Sequence, residues 1–137
     1  MTNFKGTREA FAAALMDMAE ERKDIVVLSP DSLKAMRAVA FGDKYPERYV
    51  ECGIAEQCSV DAAAGLASAG LTPFVGTYCG FLTMRACEQM RTFVGYTDLN
   101  VKFVGVNAGL LGGEREGVTH QFYEDLGILS SMPNFTI

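Results

Sequence analysis

Four short strand-like segments, "IVVLS" (25–29), "RYVEC" (48–52), "TPFVGTY" (72–78) and "VKFVGVN" (101–107), alternate with longer segments of helical spacing. No other feature restricts the fold as much. A run such as "IVVLS", apolar at consecutive positions rather than at every second one, reads as a strand covered on both faces. Strands that lie parallel need a long crossover between them, and the intervening segments supply it. Those segments predict helices over "TREAFAAALMDMAEERKD" from Thr7, over 31–46 with a stop at Gly42, over 55–70, and over 82–96 with Leu82, Ala86, Met90 and Phe93 on one face. The expected architecture is a three-layer α/β/α fold on a mostly parallel sheet. With 137 residues the chain is long enough for one domain, expected to span 1–137. The last segment, "QFYEDLGILSSMPNFTI", reads as a helix, a stop at Pro133 and the first residues of a fifth strand, so a fragment of a longer chain is expected.

Composition removes several function classes. The net charge is −5 and the 12 basic residues are scattered, which leaves no electrostatic case for nucleic acid or an anionic membrane as partner. No apolar stretch approaches the roughly 20 residues that span a bilayer, and "MTNFKGTREAF" lacks the apolar core of a secretory signal. Cys52, Cys58, Cys79 and Cys87 show no CxxC spacing and read as reduced, mostly buried thiols of a cytoplasmic protein. One histidine and no cysteine pair give no zinc pattern, and no metal site is expected in this chain.

In open parallel sheets ligands gather outside the carboxyl ends of the strands. "GIAEQ" after the second strand, "TYCGF" after the third and the glycine-rich loop "AGLLGGEREGVTH" after the fourth all deliver residues there. Glu56 opens a helix, where a carboxylate is favoured by the helix dipole. It could equally face the crevice and hydrogen-bond a ligand nitrogen, sharing a proton with a heterocycle. Tyr78 and Phe81, three apart, are either core aromatics or a wall for a flat ligand, with the small Cys79 and Gly80 between them. His120 follows the loop beside Gln121 and near Glu116, as a structural residue or a working one. The loop glycines form neither GxGxxG nor a P-loop, so no phosphate cradle is assigned.

Taken together, "ERYVECGIAEQ", "AAGLASAGLTPFVGTY", "RACEQMR", "THQFYEDL" and "MPNFTI" resemble the pyrimidine-binding domain of the transketolase family. The resemblance runs from "TREAF" to the end of the chain and is greatest to the start of the separate C-terminal subunit found where transketolase is split into two polypeptides. It implies the thiamine diphosphate-binding (pyrimidine domain) fold and thiamine diphosphate as cofactor. It also implies that Glu56 hydrogen-bonds N1′ of the aminopyrimidine and favours the tautomer whose 4′-nitrogen takes the thiazolium proton. A two-carbon ketol unit then passes between sugar phosphates. By position Tyr78 and Phe81 pack around the aminopyrimidine, with Phe81 stacking, and His120 contacts donor-sugar hydroxyls.

Some positions depart from the family pattern. Glu116–Gly117 stands where the family has an Asp–Gly pair, one methylene longer. Asn107 takes the place of a second substrate histidine, and Ser29 falls near a serine that binds substrate phosphate. The GDG motif that anchors Mg²⁺ and the diphosphate in another domain is absent from these residues. The resemblance therefore implies an N-terminal, diphosphate-binding partner chain that holds the metal, no activity without it, and a homodimer or heterotetramer. Deoxyxylulose-phosphate synthase and the β subunit of a 2-oxo acid dehydrogenase share the glutamate and the fold, although "THQ" with "MPN" favours transketolase and the synthase. A non-catalytic assembly module is the remaining alternative, against which Glu56, Phe81 and His120 together speak.

Overall fold

A computed structural model describes residues 6–112 and 115–137. Four strands, β1 (Ile25–Ser29), β2 (Tyr49–Glu51), β3 (Thr72–Tyr78) and β4 (Lys102–Val106), form one all-parallel sheet in the order β2-β1-β3-β4. The register pairs Leu28 with both Val50 and Val75, and Gly76 with Val104. All five residues of the central β1 are buried, as its unbroken apolar run requires. Its side chains alternate between two cores. Val26 and Leu28 meet Val60, Ala63 and Ala64 of α3 (Glu56–Ser68), while Ile25 and Val27 meet Leu15 and Ala19 of α1 (Thr7–Glu21). This alternation along one strand makes the fold three-layered.

Buried Arg48 ties the first helix to the sheet. Its guanidinium donates to the carbonyls of Ala19 and Arg22 at 3.0–3.2 Å and stacks 3.8 Å from the Tyr45 ring centroid. The last carbonyls of α1 have no partner within the helix, and a cation is the natural group to satisfy them.

Three boundaries differ from the sequence expectation. The helix expected over 31–46 shortens to α2 (Val39–Lys44), because Asp31 and Arg37 sit in the left-handed region and break the path before it. The expected helix over 82–96 is a helical stretch of mixed pitch. It consists of a π-helical segment Phe81–Arg85, one α turn, α4 (Cys87–Gln89), and a second π segment Met90–Gly95. The fifth strand does not form. After α5 (Asp125–Ser130) the chain turns at Asn134, whose amide donates to the Gly95 carbonyl at 2.9 Å, and Phe135 then stacks on Phe103 with ring centroids 5.8 Å apart. Among the described residues no helix is long and apolar enough to cross a membrane.

Candidate active site

The site is built at the carboxyl ends of β2 and β3. Beyond β2 the chain turns at Gly53, at φ 65°, where a side chain would strain the backbone. Glu51 holds this turn: its Oε1 accepts the amides of Asp31 and Gly53 at 2.8 Å each. Three residues after Gly53, α3 begins at Glu56, whose side chain is only 5% exposed. The residue preceding it, Ala55, provides no side-chain cap. The Glu56 carboxylate accepts instead from Arg85 Nη1, at 3.0 Å across the crevice. Glu56 thus opens the helix while its carboxylate is paired with a residue of another element.

Arg85 also lies over an aromatic ring, its guanidinium carbon 3.7 Å from the Phe81 centroid. Phe81 and Arg85 are the first and last residues of one π-helical segment, which brings both to the same side. Planar, weakly hydrated guanidinium is well suited to stacking on a π face while donating in its own plane.

Four rings surround this point. Tyr78 and Phe81 are 5.5 Å apart, His120 sits 4.8 Å edge-on from each, and Phe122 is 5.6 Å from Phe81. Edge-to-face contacts of this kind suit the ring quadrupoles. His120 closes a 3₁₀ turn, Val118–His120, which starts beyond Gly117 at φ 87°. Its Nδ1 lies 3.0 Å from Thr119 Oγ1. A single antiparallel bridge between Gly109 and Phe122 fastens the loop. Phe122 can reach its seat only because residue 80 is glycine: a Cβ there would stand 1.8 Å from its ring.

The structure therefore joins Glu56, Tyr78, Phe81 and His120, and leaves three of the predicted residues outside the cluster. Ser29 is fully buried at the end of β1, where its Oγ accepts the Ser32 amide at 2.8 Å. Asn107 sits just past β4 in the left-handed region, and Glu116 is exposed on the loop. Cys79, between the two aromatics, donates to Asp125 Oδ2 at 3.0 Å. Burial first, and then this carboxylate, push its thiol up to about 12, so it stays protonated and is a poor nucleophile. A groove of about 670 Å³ lies along the outer side of β4, between Phe103, Leu129 and Phe135, and none of the four clustered residues lines it.

Sequence reading missed Arg85 and Phe122. For Arg85 the signal was present, since it lies four residues after Phe81 on a helical segment and so shares its side. Phe122 had no local signal, because its role is set by Gly80 far away in sequence.

Together these residues offer a buried hydrogen-bonding carboxylate and an aromatic ring face, both engaged at once by one planar cationic group. A planar heterocycle with a nitrogen in its rim fits the same pair of contacts.

Residues 5–137 match the family described as transketolase, pyrimidine binding domain. The chain is 35% identical over 134 residues to a putative transketolase C-terminal section of Methanocaldococcus jannaschii, covering 98% of this chain and 42% of that protein. It is 40% identical over 129 residues to 1-deoxy-D-xylulose-5-phosphate synthase of Clostridium botulinum, covering 94% of this chain and 20% of that one. Among solved structures it superimposes on a split-gene transketolase, described as an inactive beta4 tetramer. There the TM-score is 0.78 and the identity 38%, over 93% of this chain and 40% of the other. The chain thus spans less than half the length of these relatives.

Proposed function

The chain belongs to the transketolase pyrimidine-binding-domain family, and we propose that it is the pyrimidine-binding half of a thiamine diphosphate-dependent transketolase acting on sugar phosphates. One observation carries the reading: a buried carboxylate, Glu56, faces the same space as the Phe81 ring. When bound, thiamine diphosphate supplies the thiazolium carbon that accepts a two-carbon ketol unit from a ketose and delivers it to an aldose.

The residues of this chain then have separate tasks. Glu56 holds a proton between its carboxyl group and N1′ of the aminopyrimidine, which selects the tautomer able to move a proton at the 4′-nitrogen. Phe81 carries the ring on its face, with Tyr78 and Phe122 fixing the Phe81 plane by edge contacts. His120 is proposed to hydrogen-bond a sugar hydroxyl, a role supported by its edge-on position beside Phe81. Glu116, Asn107 and Ser29 are the other residues of this chain proposed to meet the sugar phosphate. Of these, Ser29 would have to release its bond with the Ser32 amide.

The diphosphate and its Mg²⁺ are assigned to a second, N-terminal subunit. Similarity to a protein named as a C-terminal section supports two polypeptides, assembled as a homodimer of this chain or as a heterotetramer. All four cysteines are free, in keeping with a cytoplasmic protein.

A second reading rests on the 40% identity to deoxyxylulose-phosphate synthase. The two are separated by assaying the assembled two-chain enzyme with xylulose phosphate plus ribose phosphate, and with pyruvate plus glyceraldehyde phosphate. Turnover of the first pair is expected; turnover of the second alone would replace transketolase by the synthase. In the same assay Glu56→Gln is expected to lower turnover about 100-fold or more, and a variant as active as the parent would remove Glu56 from the chemistry.

A further inference from the structure

We infer that Arg85 is a built-in competitor for the cofactor ring: its guanidinium occupies the hydrogen bond of Glu56 and the face of Phe81, and has to leave before an aminopyrimidine can take both. The inference rests on the function proposed above and adds a residue that it does not use.

The geometry is specific. A ligand ring that stacks on Phe81 and hydrogen-bonds Glu56 needs one face of Phe81 and one oxygen of a carboxylate that is itself 5% exposed. Arg85 takes both at once, at 3.7 Å from the ring centroid and 3.0 Å from Oε1. Like the aminopyrimidine it is flat, carries its N–H donors in the plane, and presents a π face. The two cannot share the site in this arrangement.

Arg85 is also suited to leaving. Its own side chain is 45% exposed, so its head group can swing into water without breaking the core. It sits at the end of a π-helical segment rather than inside a regular α-helix. Without the ligand the guanidinium neutralises a buried carboxylate that would otherwise lie unpaired, an arrangement costly in any protein interior. With the ligand, the ring nitrogen takes over that hydrogen bond. Arg85 therefore stabilises the ligand-free state and lowers apparent affinity, because every binding event must first break its two contacts.

The test uses the assembled two-chain complex with Mg²⁺, titrated calorimetrically with thiamine diphosphate. Arg85→Met and Arg85→Gln remove the charge while keeping an unbranched side chain. Each is expected to tighten binding about five-fold, as loss of one half-exposed ion pair and one cation–π contact would give. The melting temperature of the ligand-free variant complex should fall, and the rise on adding thiamine diphosphate should exceed that of the parent. The difference in affinity between parent and variant should narrow at high salt, which screens the exposed side of the ion pair. In a Glu56→Gln background the effect of Arg85→Met should shrink, since the competitor has lost its anchor.

Unchanged or weaker binding in both Arg85 variants would overturn the inference and make Arg85 a supporting contact. That result leaves the proposed function standing. If Glu56→Gln has the parent's activity and affinity, the proposed function fails first and the role of Arg85 fails with it.

Discussion

At the scale of single residues, two ionisable groups set opposite pH limits on stability. The fold holds Cys79 as a thiol up to about 12, against an ordinary value of 9.0. Its contribution is complete below pH 9, and is lost as pH rises from 9 towards 12, where the unfolded chain ionises and the folded one does not. Asp24 runs the other way. The hydrogen bond from Arg22, with that from Thr72, lowers its carboxyl to about 2, so its contribution is present above about pH 4 and lost as pH falls towards 2. Urea titrations across pH should show an alkaline decline that flattens in Cys79→Ser and an acid decline that flattens in Asp24→Asn; parent-like slopes would contradict both assignments. Gly80→Ala should cost about 2 kcal/mol by forcing Phe122 from its seat, measured as a lower melting temperature. That Glu56, Tyr78, Phe81 and His120 lie near one another was legible because the first three sit at or shortly after strand ends and His120 in the loop after β4, each in a short motif. Arg85 escaped notice because its motif reads first as helix, and its partner Glu56 lies 29 residues away.

At the scale of elements, the stretch 81–95 shows where periodicity misleads. Helical spacing puts Phe93 on the apolar side, yet Phe93 is 46% exposed and Val94 is buried with Leu82, Ala86 and Met90. Those four are spaced by four residues throughout, as the two wide π segments allow, whereas a regular α-helix would have carried the stripe on to 93. Val94→Ala is accordingly expected to cost about 2 kcal/mol of unfolding free energy, and Phe93→Ser less than about 1 kcal/mol. The reverse order would mean that the stretch is an ordinary α-helix. The fifth strand failed as a prediction for a related reason. Residues 134–137 contain strand-forming side chains, but pairing is decided by the tie of Asn134 to Gly95 and by Phe135 stacking on Phe103, and neither has a local sequence signal.

At the scale of the whole molecule, the three layers were legible because a strand buried on both faces leaves an unbroken apolar run, and β1 carries it. The sheet order was not, since strand neighbours depend on contacts that no run of residues records. The architecture brings the ends of β2 and β3 and the loop after β4 together, where a carboxylate is bridged by Arg85 to a cluster of aromatic rings. We propose that the aminopyrimidine of thiamine diphosphate binds here, between Glu56 and Phe81. A crystal structure of the two-chain complex with Mg²⁺ and thiamine diphosphate tests it most directly. A Glu56 oxygen is expected within about 3.2 Å of a pyrimidine nitrogen, with the Phe81 ring against the pyrimidine face. A cofactor ring seated elsewhere, with Glu56 still bound to Arg85, would contradict it.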